Sequence, residues 1–407
     1  MLPTATRTAK FAAAISAALA SLALAGPALA VSGAQVSHTA GPHSPRLQVR
    51  QILNGMKLSH TFVPAGKTTS ATEPLAKPDD VTVLGHHLFT AFQNGVGAQG
   101  QPSTTDGNTD STVVEFTARG KVVHQWDLHG KCDGITADTQ RGVLIATVNE
   151  DANSSVYTIR PGAPKSRQIT HYSYNRPLPN NGGTDAISIY RGRVLISASA
   201  PGTTGNPAPQ PAYPAVYSVT FNTAKHVAKV RPLFSDEATA TVANVGSSEG
   251  KRVQLALTDP DSNQLVPASA HRFAGDFMET SQGDQQQIFV QPKGRLGSHL
   301  TVLSLSRSVD DTAWVRSRAG ALYATNTGGD TVDVVTGRFR PGSIIVAATP
   351  CDASNAPATC PGPGFPANFL GQLNPWTGHI SRVRLAGPVL NPQGLVFIAP
   401  GWNVIPG

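Results

Sequence analysis

Along this chain, segments of about five to seven residues alternate apolar with polar positions or run wholly apolar, and clusters of Gly, Asp, Asn and Pro separate them. That pattern predicts strands. Five places share one order: Asp or a substitute for it, an apolar segment, a turn with Gly, and a second apolar segment. They are KPDDVTVLGHHLFTAFQNG from Lys77, KCDGITADTQRGVLIATVNED from Lys131, GTDAISIYRGRVLISASA from Gly183, SVDDTAWVRSRAGALYATNTGG from Ser308, and LNPQGLVFIAPG from Leu390, which stops before its second strand. A weaker sixth is TDPDSNQLVPASAHRFAGDFMET from Thr258. Gly85, Gly142, Gly192 and Gly320 fall between the paired segments, where a tight hairpin needs backbone freedom. The segments KVVHQWDL, SRQITHY, LTVLSLS and SRVRLAG also read as strands, and FTARGKVV and LNPWTGHIS as hairpins. The unit is therefore a meander of about four antiparallel strands.

Asp79 and Asp133 stand 54 positions apart, Asp133 and Asp185 52, and Asp261 and Asp310 49. Two gaps are longer, 76 positions from Asp185 to Asp261 and 83 from Asp310 to Gln393; they hold the loops GTTGNPAPQPAYP and PCDASNAPATCPGPG. A period near 50 residues with four strands each is that of a propeller blade. The expected fold is an all-β, six-bladed β-propeller over residues 47–407, with seven blades as the alternative and a two-sheet sandwich as the competing architecture. The last strand, GLVFIAP, and the first, KLSHTFV, each lack neighbours of their own. Placing both in one blade would cover two open edges.

The phrases DGITADTQRGVLIATVNED and NPQGLVFIAP resemble the repeats of six-bladed propellers of the NHL and gluconolactonase (SMP-30-like) type. The resemblance covers most of residues 77–400. It implies a propeller and, for the gluconolactonase branch, a divalent cation held in the channel by Glu, Asn and Asp. This chain carries Asp at its strand starts, and no set of four ligands transfers onto it. The resemblance speaks to shape more than to substrate.

Composition narrows the class. Hydrophobic residues are 40% and charged residues 14%, with 39 Gly and 32 Pro. A coiled coil and wholesale disorder are both excluded on those figures. Residues 1–30 read as a signal peptide: Arg7 and Lys10 are the only charges, Phe11–Ala25 is apolar, and Ala28-Leu29-Ala30 suits cleavage after Ala30. The run is shorter than the roughly 20 residues of a membrane span. Residues 31–46 read as a flexible lead-in. A secreted or periplasmic protein without a membrane span is expected. The net charge of +7 becomes +5 once Arg7 and Lys10 are removed, and its scattered distribution argues against a nucleic-acid partner. Export permits disulfides, and Cys351 and Cys360 are expected to pair across their loop. Cys132, at the head of an apolar strand, is expected to be a buried thiol.

Antiparallel pairing sets the start of one strand beside the end of the next. The starts carry Asp79, Asp133, Asp185 and Asp310, and the ends carry Asn94, Asn149, Glu150 and Asn326. If the first strand of each blade lines the channel, Asp79, Asp133, Asn149, Asp185, Asp310 and Asn326 are the candidate ligands at its mouth. Carboxylate and amide oxygens suit Ca²⁺ or Mg²⁺. The competing role is structural, since Asp and Asn also cap turns through their own backbone. No nucleophile elbow or phosphate-binding loop is present, and no carboxylate pair stands at glycosidase spacing. The leading expectation is a module that binds an unidentified ligand or protein at one channel face. A metal-dependent lactonase or esterase is the alternative.

Overall fold

Alternation along the chain becomes sheet pairing in the structure, a computed structural model that describes residues 47–199, 212–349 and 368–401. The expected signal peptide, the lead-in and the Cys351–Cys360 pair lie outside the described residues. Among these residues, six strands stand innermost: Pro78–Leu84, Cys132–Asp138, Ile187–Tyr190, Pro260–Leu265, Val309–Trp314 and Pro392–Ile398. Each touches the next in that order and the last touches the first, which closes a ring. The fold is an all-β propeller, and each inner strand starts one blade.

The first three blades follow the chain. Pro78–Leu84 pairs with His87–Phe92, then Asp110–Phe116, then Val122–His129, all antiparallel. Cys132–Asp138, Val143–Val148, Ser155–Ile159 and Ile169–Tyr174 repeat the pattern, as do Ile187–Tyr190, Arg193–Ser197, Pro214–Asn222 and Val227–Ser235. The expected hairpins form here, with Gly85, Gly142 and Gly192 at φ of 62°, 62° and 76°. The weaker sixth repeat also folds as a hairpin, Pro260–Leu265 against Phe277–Ser281.

The last two blades depart from the expected order. Val309–Trp314 does not pair with Ala321–Asn326. It pairs with Ile344–Ala348, and the pairing runs on, because Val315 N donates to Ser343 O at 2.9 Å. Ala321–Asn326 pairs instead with Pro392–Ile398 and with Thr331–Thr336. The chain thus lays down two strands of the sixth blade before returning to finish the fifth with Ile344–Ala348, Phe369–Leu373 and Ile380–Arg382. Gly320 is not a hairpin glycine; a Cβ there would stand 2.6 Å from the Ile398 carbonyl oxygen and from the Phe397 ring.

Closure follows the expected principle with a different strand. Leu47–Asn54 is added outside Thr331–Thr336, so the first and last strands share a blade at opposite sides of its central pair. KLSHTFV is not the closing strand. Its Ser59–Phe62 pairs with Ala71–Pro74 in a side hairpin.

Apolar faces meet between blades. Phe89, Trp126, Leu128, Cys132, Leu144 and Val148 pack between the first and second blades, and Ala313, Leu322, Ile345, Leu395 and Phe397 between the fifth and sixth. A large side chain buried this fully contributes about 1.5–3 kcal/mol. Trp126 and Trp314 are core residues, and Cys132 is, as expected, a fully buried free thiol.

Candidate functional site

The starts of the inner strands are irregular. Register slips between Pro78 and Val81, Cys132 and Ile135, Pro260 and Ser262, and Val309 and Thr312. Each slip spans the acidic residues of its strand: Asp79 and Asp80, Asp133, Asp261, and Asp310 and Asp311. A bulge frees a residue from the ladder and re-aims its side chain. Neighbouring inner strands also approach closely here. A Cβ on Gly134 would lie 2.5 Å from the Asp185 carbonyl oxygen, and one on Gly394 2.5 Å from that of Asp79.

These carboxylates act on one another across the ring. Burial first, then the charges of Asp133, Asp80 and Asp310, push Asp79 well above the usual carboxylate range. Asp185 is raised by burial and by Asp133, Glu150, Asp79 and Asp80. Asp80, Asp261 and Asp310 are likewise raised well above it by burial and then by their acidic neighbours. Asp133, 1% exposed, is raised to about 7 by burial and by Glu150, against the opposing pull of Lys131. Asp311 is raised to about 7 by burial, although it accepts from Leu395 N and Thr312 N at 2.6 Å each.

Lys131 is the cation of this cluster. Its Nζ lies 2.8 Å from Asp133 Oδ1 and also pairs with Glu150. Burial works against its charge, but Asp133, Glu150 and Asp79 outweigh that and raise its pKa. Gln93 Nε2 bridges Asp79 Oδ2 at 2.8 Å and Asp133 Oδ1 at 2.9 Å. Asp133 Oδ2 is buried with no hydrogen-bond partner. Among the described residues, no three Asp, Glu, His or Cys side chains close into a metal-holding group.

Of the candidates drawn from sequence, Asp79, Asp133, Asp185 and Asp310 come together. The asparagines serve the backbone. Asn149 Oδ1 accepts from Lys131 N at 2.9 Å, Asn326 Oδ1 from Asn391 N at 3.2 Å, and Asn94 Oδ1 from Ala76 N at 3.1 Å. Each latches the residue leading into an inner strand. Asn326 sits beside Pro392, not beside Asp310, because its strand pairs with the sixth blade's inner strand. Asp80, Asp261, Asp311, Lys131 and Gln93 were not among the sequence candidates. The shared Asp-Asp doublet at Asp79-Asp80 and Asp310-Asp311 was the available signal for two of them.

No family model matches the chain, and no curated protein matches it. Solved structures do. The periplasmic gluconolactonase PpgL of Pseudomonas aeruginosa is 12% identical, with a TM-score of 0.41 over 87% of this chain and 99% of that one. A putative gluconolactonase is 10% identical, with a TM-score of 0.41 over 87% of this chain and 89% of that one. A protein of unknown function from Bacteroides caccae is 8% identical, with a TM-score of 0.43 over 87% and 99%. The resemblance to such propellers is loose, and the strand pairings carry the fold assignment by themselves. No helix among the described residues is long and apolar enough to cross a membrane.

Proposed function

We propose that the chain is an extracytoplasmic binding module whose channel mouth takes up a hard divalent cation, Ca²⁺ above all. One observation carries this reading: the buried Asp133 Oδ2, without a hydrogen-bond partner, within a ring of buried carboxylates beside Lys131. A buried carboxylate oxygen without a hydrogen-bond partner is costly, and a cation would satisfy it while displacing the protons that its neighbours hold. Ca²⁺ accepts six to eight oxygens in irregular geometry and retains waters where protein ligands are few. No three acidic, His or Cys side chains among the described residues close into a metal-holding group, so an ion here would keep part of its water shell. The ion would order the mouth for a further ligand.

EDTA-treated protein titrated with Ca²⁺ tests this by calorimetry and thermal unfolding. Saturable binding is expected, and at a hundredfold excess over Kd it adds about 2.7 kcal/mol of stability. Asp133→Asn should weaken binding at least tenfold. No saturable heat with Ca²⁺, Mg²⁺ or Mn²⁺ would overturn the proposal.

One observation favours a second reading, cation-assisted hydrolysis of a lactone or ester. Burial and Glu150 raise the Asp133 carboxyl to about 7, which suits a general acid or base at neutral pH. A bound cation would supply carbonyl polarisation. Cation-dependent turnover of a lactone and ester panel, lost in Asp133→Asn, would establish hydrolysis; no turnover would leave binding alone.

A further inference from the structure

The opposite ends of the inner strands hold a second feature. Between the second and third blades, roofed by the Pro292–Leu296 segment of the fourth, lies a cleft of about 960 Å³. Its lining includes six arginines, Arg141, Arg160, Arg191, Arg193, Arg231 and Arg295, against one acid, Asp138. All six arginines are exposed, and Asp138 is buried and already ion-paired with Arg141. None of the other five has a carboxylate partner among the described residues. The charge is gathered from hairpin ends and from Arg231 in the middle of the strand Val227–Ser235, far apart in sequence, so it does not show as a basic run. The cleft lies five residues down the inner strand from Asp133, about 17 Å along an extended chain.

We propose that this cleft is a separate binding site for an acidic oligosaccharide, one bearing a carboxylate or sulfate on successive sugar units. Three observations support that class. The guanidinium fork matches carboxylate and sulfate oxygens two at a time. The volume is that of a small-ligand cleft, large enough for a short oligomer. The hydroxyls of Ser218, Thr220 and Thr223 lie on the same wall and suit sugar hydroxyls. Nucleic acid fits less well. Stacking of bases needs open aromatic faces; Tyr172 and Tyr190 are 3% and 0% exposed, and the third aromatic of the lining, Phe221, is half-buried with its ring tilted against Tyr172.

The test is calorimetric titration of the whole protein with an oligogalacturonate, a heparin-type sulfated oligosaccharide, a neutral oligosaccharide of equal length, inorganic polyphosphate and a single-stranded oligonucleotide. Binding of one or both acidic sugars is expected, weakening as salt rises, and the stronger of the two names the acidic group. Arg191→Ala with Arg231→Ala should cost at least tenfold in affinity, and the corresponding Lys pair should restore only part of it. Unchanged melting temperature and Ca²⁺ titration would show that the variants are folded; if the double variant fails that check, Arg160→Ala alone should weaken binding about threefold or more. The proposal is overturned if neither acidic sugar binds, if the neutral chain, polyphosphate or oligonucleotide binds as tightly, or if the folded variants bind like the wild type.

Discussion

The inner strand Cys132–Asp138 begins at Asp133, buried beside Lys131, and ends at Asp138, whose partner Arg141 is exposed. The contrast extends beyond this strand. At the starts, acidic groups are crowded together and burial raises their pKa values. At the ends near the second and third blades, basic groups stand in water with little to neutralise them. The difference teaches that a charged residue's role here is set by its place along the strand. Bulges turn carboxylates inward at one end, and hairpin turns carry arginines outward at the other.

The largest expected effect comes from removing the cation at the mouth. Lys131→Met leaves Asp133 without its counter-charge and should destabilise the protein by about 3–5 kcal/mol at pH 8. Chemical denaturation at pH 8 and pH 5 checks this. The deficit should shrink at pH 5, where Asp133 keeps its proton; an equal deficit at both values would contradict the electrostatic account.

The wild-type pH profile sharpens the same contrast. The folded-state pKa of Asp133, about 7, lies above the ordinary value of 3.8. Its proton therefore stabilises the fold fully below about pH 4, and that contribution is lost as pH rises through 7. Cation-free protein should gain stability on acidification from pH 8 to pH 5, and saturating Ca²⁺ should flatten the slope. The Arg191→Ala, Arg231→Ala variant leaves the mouth untouched and should follow the wild-type profile. A cation-free protein that loses stability over that interval would break the comparison.

Asn149→Ala probes the latch. It removes the acceptor for Lys131 N and leaves alanine at φ 69°. A loss of about 2–3 kcal/mol is expected, with Ca²⁺ affinity within threefold of wild type. A tenfold loss of affinity would make Asn149 a ligand. At the other end, Gly142 stands at φ 62° with open space around it. Gly142→Val should cost about 1–2 kcal/mol through backbone strain alone. Unchanged stability would mean the turn adopts another conformation.

Much of this was legible in the sequence, for reasons that also mark where legibility stops. An Asp, an apolar run and a Gly turn encode a hairpin locally, so the starts at Asp79, Asp133 and Asp185 and the hairpins behind them could be placed. The partner of an apolar strand is not encoded in its own alternation. Ala321–Asn326 and Ile344–Ala348 are both strand-like and both follow Val309–Trp314, and pairing across the blade interface decided between them. That choice took Asn326 away from Asp310. Asp80 and Asp311 join the mouth through bulges, which a simple period of two conceals. The arginine cleft draws on residues from Arg141 to Arg295 and has no local signature.

The most direct test of the cation-binding mouth is proton release on binding. Calorimetric titration of Ca²⁺ into cation-free protein at pH 6.5, repeated in buffers of different ionisation enthalpy, gives the number of protons expelled. Carboxylates that hold protons near neutrality must give them up to a cation, so a net release is predicted, reduced in Asp133→Asn. Binding with no proton release, or no binding, would contradict the account.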